Sequence, residues 1–296
     1  MAMHVLENEF LKVSVADAGA ELSSVMDKES GLERIHDANP QIWNRHAPIL
    51  FPFVGKVIGG TYRIGDKEYD MKTQHGFARD MEFTMISKTD TTIWFALASN
   101  EETLKKFPFT FVLHIGYELC GNELRVLWKV ENPSAEKTLH FGIGAHPAFN
   151  CPLYGEDSKA GYKLYFGGID ALAHHGNDLR TGLSLNEDLT LPLENNRAVI
   201  TPEFFDRCTY IAEGNQTKEI GLEDPQGNRI LSVLFDMPLF GIWSPERKNA
   251  PFLCIEPWYG RCDAEDFEGT LSERAFNNTL EQGKIFQTSY IIRFGN

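Results

Sequence analysis

An alternation of side chains with period two constrains this chain most. From Phe109 to Leu119, Phe109, Phe111, Leu113, Ile115, Tyr117 and Leu119 alternate with Thr110, Val112, His114, Gly116 and Glu118. Successive side chains of an extended strand point to opposite faces, so this segment reads as a strand with one apolar face. Cys120-Gly121-Asn122 follows as a hairpin turn signal. Beyond it Leu124, Val126, Trp128 and Val130 occupy one face and Arg125, Lys129 and Glu131 the other. Asn132-Pro133-Ser134 makes the next turn, and Leu139, Phe141, Ile143 and Ala145 alternate again. Phe286, Thr288, Tyr290, Ile292 and Phe294 repeat the pattern near the end of the chain.

Shorter strands are predicted around Phe10–Val15, Ile93–Leu97, Ile230–Phe235, Phe240–Trp243 and Phe252–Ile255. Helical signals are few. One short helix fits Asn100–Phe107, with an Asn cap and an acidic first turn, and another turn or two is expected near Pro202–Asp206. Many strands with close turns, and almost no helices to cross between them, predict an all-β fold, a large antiparallel β-sandwich with few short helices. No linker composition, repeat or low-complexity tract divides the 296 residues, so residues 1–296 are expected to form a single domain.

Composition excludes several classes. No run of about 18 apolar residues exists, so no membrane-spanning helix is expected. The start, Met1 to Glu9, lacks the basic and apolar regions of a secretory signal, which makes the cytoplasm the expected compartment. The formal charge of −14 repels a polyanion, so nucleic acid is not an expected partner. The five cysteines contain no Cys-x-x-Cys pair and read as free thiols of a reducing compartment. His174-His175 is a poor metal pair, because adjacent strand residues point to opposite faces. A Gly-x-Ser-x-Gly elbow, a phosphate-binding glycine loop and a His-Glu-x-x-His helix are all absent.

Three segments place ionisable residues where the pattern predicts order: Gln74–Arg79, Gly142–Asn150 and Cys254–Gly260. If the odd residues of Leu139–Ala145 face the core, His140, Gly142, Gly144 and His146 share the other face. The two glycines then leave a bare floor beside His146. Pro147 removes a ladder donor, so His146 is expected at a strand end. Phe252, Cys254, Glu256 and Trp258 share one parity, and a carboxylate between aromatic residues is poor core material unless it is paired. Pro257 is expected to set Glu256 at a strand end too. His75 and Arg79 are expected in a loop. From these residues alone, a half-exposed strand histidine, an edge glutamate and a solvated loop are equally good accounts.

Taken in order, His-Gly-Phe-Ala-Arg (75–79), His-Pro-Ala-Phe (146–149) and Ile-Glu-Pro-Trp (255–258) resemble the aldose 1-epimerase, or galactose mutarotase-like, family. The resemblance is to the branch of LacX-like proteins and glucose-6-phosphate 1-epimerases, and it covers nearly the whole chain. It implies a large antiparallel β-sandwich with a cleft on one sheet, and a cofactor-independent isomerase that interconverts the anomers of a hexose. It also implies His146 as general acid, Glu256 as general base and His75 as a hydrogen-bond donor near the ring oxygen. Asp206 falls near a sugar-binding aspartate, Lys56 where relatives often carry arginine, and Arg79 where the sugar-phosphate branch contacts phosphate. No metal or other cofactor is implied. A small-molecule sugar, hexose or hexose phosphate, is the implied partner, and a monomer or homodimer is expected. Two rivals remain: a hexose-6-phosphate 1-epimerase, and a carbohydrate-binding or sensing protein without turnover.

Overall fold

The computed structural model describes residues 2–295. Two large sheets face each other, and every strand pairing within them is antiparallel. The nine-stranded sheet has the alternating segments near its middle. Glu123–Glu131 lies between Val112–Cys120 and Ile285–Phe294. Glu123 pairs with Cys120, so Gly121-Asn122 closes a two-residue hairpin, with Gly121 at φ +58°. In Val112–Cys120 the residues Leu113, Ile115, Tyr117 and Leu119 are buried, while Glu118 and Cys120 are exposed. The predicted alternation is therefore the observed one.

The eight-stranded sheet contains Leu239–Trp243, Phe252–Tyr259, Ile143–Ala145, Ala148–Asn150 and Ile49–Leu50 among its strands. One continuous apolar core joins the two sheets. It takes Leu124, Val126 and Ile292 from one and Ile143, Ala145, Ile242 and Ile255 from the other. A fully buried apolar side chain contributes about 1.5–3 kcal/mol, so this layer holds the sandwich closed. Cys254 and Trp258 belong to separate clusters on the opposite face of the sheet. Parity alone thus divides the strand into a core side and a site side.

The short helix is Glu101–Lys106. The Asn100 side chain accepts from the amides of Glu102 and Thr103, as its sequence signal predicts. The expected helical turns near Pro202–Asp206 are two successive tight turns, Thr201 to Phe204 and Glu203 to Asp206, and no helix propagates. No helix among the described residues is long and apolar enough to cross a membrane.

Of the two expected strand ends one is observed, since Ile143–Ala145 stops just before His146, and one is corrected. Glu256 does not end its strand, because Phe252–Tyr259 runs on through Pro257. Pairing also resumes directly after Pro147, at Ala148. The reason lies in which amides the ladder requires. His146 and Ala148 donate to the carbonyls of Pro48 and His46, so the even amides point away from Phe252–Tyr259. The odd amides point toward it. Pro147 and Pro257 both occupy positions where an amide would cross between these two strands, and each leaves a single gap. Register is kept across the gap: Gly144 pairs with Trp258 and Ala148 with Cys254.

Candidate active site

That unbroken register places His146 directly opposite Glu256, in a non-hydrogen-bonded cross-strand position where side chains approach most closely. His146 Nε2 lies 3.3 Å from Glu256 Oε2. Both residues are buried, at 7% and 1% exposure, yet both line a cavity of about 370 Å³ on the outward face of the sheet. His146 Nδ1 and Glu256 Oε2 have no hydrogen-bond partner. Buried polar atoms are normally satisfied, so these two atoms can accept a further partner from the cavity.

Aromatic rings fix the imidazole. Trp43 lies 4.9 Å from its centroid at 31°, and Trp243 stands edge-on at 5.3 Å. The His75 ring is perpendicular to it at 5.4 Å. The predicted bare floor at Gly144 is instead a seat for Trp258. A Cβ at Gly144 would meet the indole at 2.6 Å, and one at Gly241, on the neighbouring strand, at 2.3 Å. The indole therefore lies flat over two glycines. Its Nε1 donates to Ala145 O at 3.3 Å, the carbonyl that Pro257 cannot serve.

His75 comes from the loop, as predicted, but its ring is buried. Its backbone is left-handed at φ +67°, and Gly76 follows at φ +69°. A side chain at Gly76 would strike the Phe51 carbonyl at 2.3 Å, so glycine lets this loop press against the Phe51 backbone. Phe51 O accepts from both Phe77 and Ala78 there. Gly55 N–H donates to His75 Nδ1 at 3.0 Å, which fixes the proton of the neutral ring on Nε2. The Gln74 amide stands 3.0 Å from that nitrogen.

Arg79 lines the same cavity and donates to Gln74 O at 2.7 Å. Arg45, unmarked by any sequence signal, lines it as well, donates to Arg79 O and pairs with Asp80. Lys56 and Asp206 do not line the cavity. Lys56 packs its stem beside Gly182, while its carbonyl accepts from Asp263. Asp206 Oδ1 accepts from Arg247 N–H at 2.8 Å and so braces the loop that brings Glu246 to the cavity. Trp43 and Glu246 also lie in irregular segments, where no period marks them.

Electrostatics follow from burial. Glu256 is pushed well above the usual carboxylate range by desolvation, with Trp258 opposing in part. His146 is held below the usual imidazole range by desolvation and then by the Arg79 charge. His75 is lowered by burial, then by His146 and Arg79. Burial therefore biases both partners toward their uncharged forms, a carboxyl beside a neutral imidazole.

A paired carboxyl and imidazole on the outer face of a large antiparallel sandwich define a protein of the galactose mutarotase-like class. The chain belongs to the aldose 1-epimerase family, whose sequence model matches residues 3–270. It is 33% identical over 288 residues to the chromosomal LacX protein of Lactococcus lactis subsp. lactis, covering 95% of this chain and 91% of that one. A solved galactose mutarotase related enzyme from Lactobacillus acidophilus superposes with a TM-score of 0.93 at 32% identity, covering 100% of this chain and 98% of that one. A galactose mutarotase-like protein from Lactobacillus casei superposes with a TM-score of 0.92 at 33% identity, covering 99% of each chain.

Proposed function

We propose that the protein is an aldose 1-epimerase that interconverts the α and β anomers of a hexose by acid–base ring opening. The observation that carries this reading is the 3.3 Å approach of His146 Nε2 to Glu256 Oε2 at the wall of a sugar-sized cavity. Ring opening removes the proton of the anomeric hydroxyl and delivers one to the ring oxygen. Glu256 as carboxylate takes the first, and His146 as imidazolium gives the second. The C1–O5 bond breaks as the C1 carbonyl forms. The aldehyde rotates about C1–C2, and reversed transfers close the other anomer.

The proton inventory fits this cycle. The reacting form, carboxylate with imidazolium, carries as many protons as the neutral pair that burial favours and differs only in where one of them sits. Ring opening returns the pair to its neutral form, so desolvation favours the opened state over the charged starting pair. His75 Nε2–H, which faces the Gln74 side-chain amide at 3.0 Å, can be turned over to a ring or hydroxyl oxygen when that amide yields. Trp43 and Trp243 offer apolar surface to the C–H face of the sugar. The five thiols, none in a disulfide, agree with work in the reducing cytoplasm.

A hexose phosphate is the second reading. It is favoured by two guanidinium groups, Arg45 and Arg79, at one wall of the cavity, with Asp80 the only carboxylate paired to them among the described residues. Polarimetry on freshly dissolved α-glucose and α-galactose, with glucose 6-phosphate as competitor, tests both. Accelerated exchange with weak competition supports the neutral sugar, and strong competition supports the phosphate. Saturable sugar binding without acceleration would make the protein a binder and end the epimerase reading.

A further inference from the structure

Cys254 is two residues before Glu256 on the same strand and shares its face, and the proton-transfer scheme does not use it. One nitrogen of His146, the Cys254 sulfur and one carboxylate oxygen of Glu256 all lie within 4.8 Å of one another. No other such group of three metal-ligating side chains occurs among the described residues. We propose that this triad is a binding site for a zinc-class divalent cation, and that the cation inhibits the protein by occupying its acid and its base together.

The geometry is close to what such an ion requires. With metal–nitrogen and metal–oxygen bonds of about 2.0–2.2 Å, the edge of a tetrahedron between them is about 3.3–3.5 Å. The His146 Nε2–Glu256 Oε2 edge already measures 3.3 Å. A nitrogen–sulfur or oxygen–sulfur edge is about 3.6 Å when the metal–sulfur bond is about 2.3 Å. The thiol therefore has at most about 1.2 Å to close from the 4.8 Å limit. A second observation points the same way. Glu256 Oε2, the oxygen that faces His146 Nε2, is a buried polar atom without a partner, on a residue more than nine-tenths buried.

Ligand chemistry chooses the ion. One thiolate, one imidazole and one carboxylate suit zinc, cobalt or cadmium, whereas magnesium and calcium prefer all-oxygen shells with more ligands. Binding displaces the thiol and carboxyl protons to solvent. It leaves the fourth position for a water or a sugar hydroxyl.

Titration of the intact protein with Co²⁺, a spectroscopic substitute for Zn²⁺, tests the site without reference to catalysis. The expected result is one equivalent bound with a thiolate-to-cobalt charge-transfer band and tetrahedral visible bands, displaced by Zn²⁺ and untouched by Mg²⁺. Outer ligands alone are worth about 10–100-fold in metal affinity. Cys254→Ser should therefore abolish the band and weaken binding by about 100-fold or more, while Cys120→Ser and Cys262→Ser keep both. His146→Gln, which leaves the thiol in place, should shift the visible bands and weaken binding, so the test survives a misfolded serine variant. No binding at millimolar Co²⁺, or a band that persists in Cys254→Ser, overturns the site.

The inhibition arm rests on the epimerase reading. Zn²⁺ should slow anomer exchange and EDTA should restore it, with the inhibition constant of Cys254→Ser raised by the same factor as its binding constant. Cobalt binding in a protein with no epimerase activity would end the functional reading and leave the site standing. Full epimerase activity with the metal bound would overturn the inhibition.

Discussion

Glu256→Gln separates the chemistry of the pair from its contribution to the fold. The amide fills the same volume, remains buried between His146 and the Gly241 backbone, and can still donate toward His146 Nε2. It cannot accept the anomeric proton. A positioned proton transfer is worth about 10²–10⁴-fold, which is about 2.7–5.5 kcal/mol of barrier at about 1.36 kcal/mol per decade. The variant should therefore lose that factor in kcat, down to the buffer-catalysed floor. The stability change should be small. Burial favours the uncharged carboxyl, so exchanging it for a neutral amide should break no ion pair. Had the resting pair been carboxylate and imidazolium, removing one partner would cost about 3–5 kcal/mol. Anomer exchange followed by NMR at low buffer concentration gives the first number, and urea unfolding at neutral pH gives the second. Activity within about threefold of the parent refutes Glu256 as base. A stability loss in the ion-pair range refutes the neutral resting state.

Three further outcomes follow from other parts of the molecule. Gly241→Ala places a Cβ 2.3 Å from the Trp258 indole, and such overpacking should cost about 1–3 kcal/mol in urea unfolding and lower kcat as the ring is pushed off its floor. Arg274→Met leaves Asp263 buried at 5% exposure without its partner at 3.2 Å, so a loss of about 3–5 kcal/mol is expected; an unchanged midpoint would show that the pair adds nothing. Burial would raise the Glu223 carboxyl, but Arg197 and Arg229 outweigh it and hold it below its usual range. Its contribution is complete above the unfolded-state value near about 4.3 and is lost as pH falls through the lower folded value. Glu223→Gln should thus flatten the acid side of the stability–pH curve, and an unaltered acid limb would contradict the assignment.

What the sequence shows depends on whether a residue obeys a period. Leu113 to Leu119 and Leu124 to Val130 reveal their buried faces because a strand has only two sides. The same parity puts Cys254, Glu256 and Trp258 on one face before any coordinates are known. Proline misleads that reading at Pro257, where the strand runs on; at Pro147 the reading holds only in that Ile143–Ala145 stops before it, and pairing resumes beyond. Pro147 and Pro257 instead remove two amides at a place where the neighbouring strands can spare them. Trp43, Arg45 and Glu246 sit in segments without any period, and nothing in their spacing marks them as cavity wall. That Lys56 and Asp206 stay off the cavity wall could not be read either, because their side chains leave irregular loops whose direction only packing decides.

This division of labour has a physical basis. A ladder fixes the relative height of two facing residues through several neighbouring pairs, so His146 and Glu256 are held by Gly144 with Trp258 on one side and Ala148 with Cys254 on the other. The proposed proton transfers need that rigidity, since a misplacement of about 1 Å can cost about 100-fold in rate. Placing the pair between the two proline gaps in the ladder meets a second requirement. The prolines keep register while removing the amides that would otherwise point at Ala145 O and across from Pro147. One of those carbonyls then recruits the Trp258 indole and fixes the cavity floor. Substrate choice makes the opposite demand, for side chains that can be exchanged without disturbing the ladder, and Arg45, Arg79 and Glu246 all reach the cavity from outside the strands. On the proposed epimerase reading, the loops can change which sugar enters while the sheet leaves the proton chemistry unaltered.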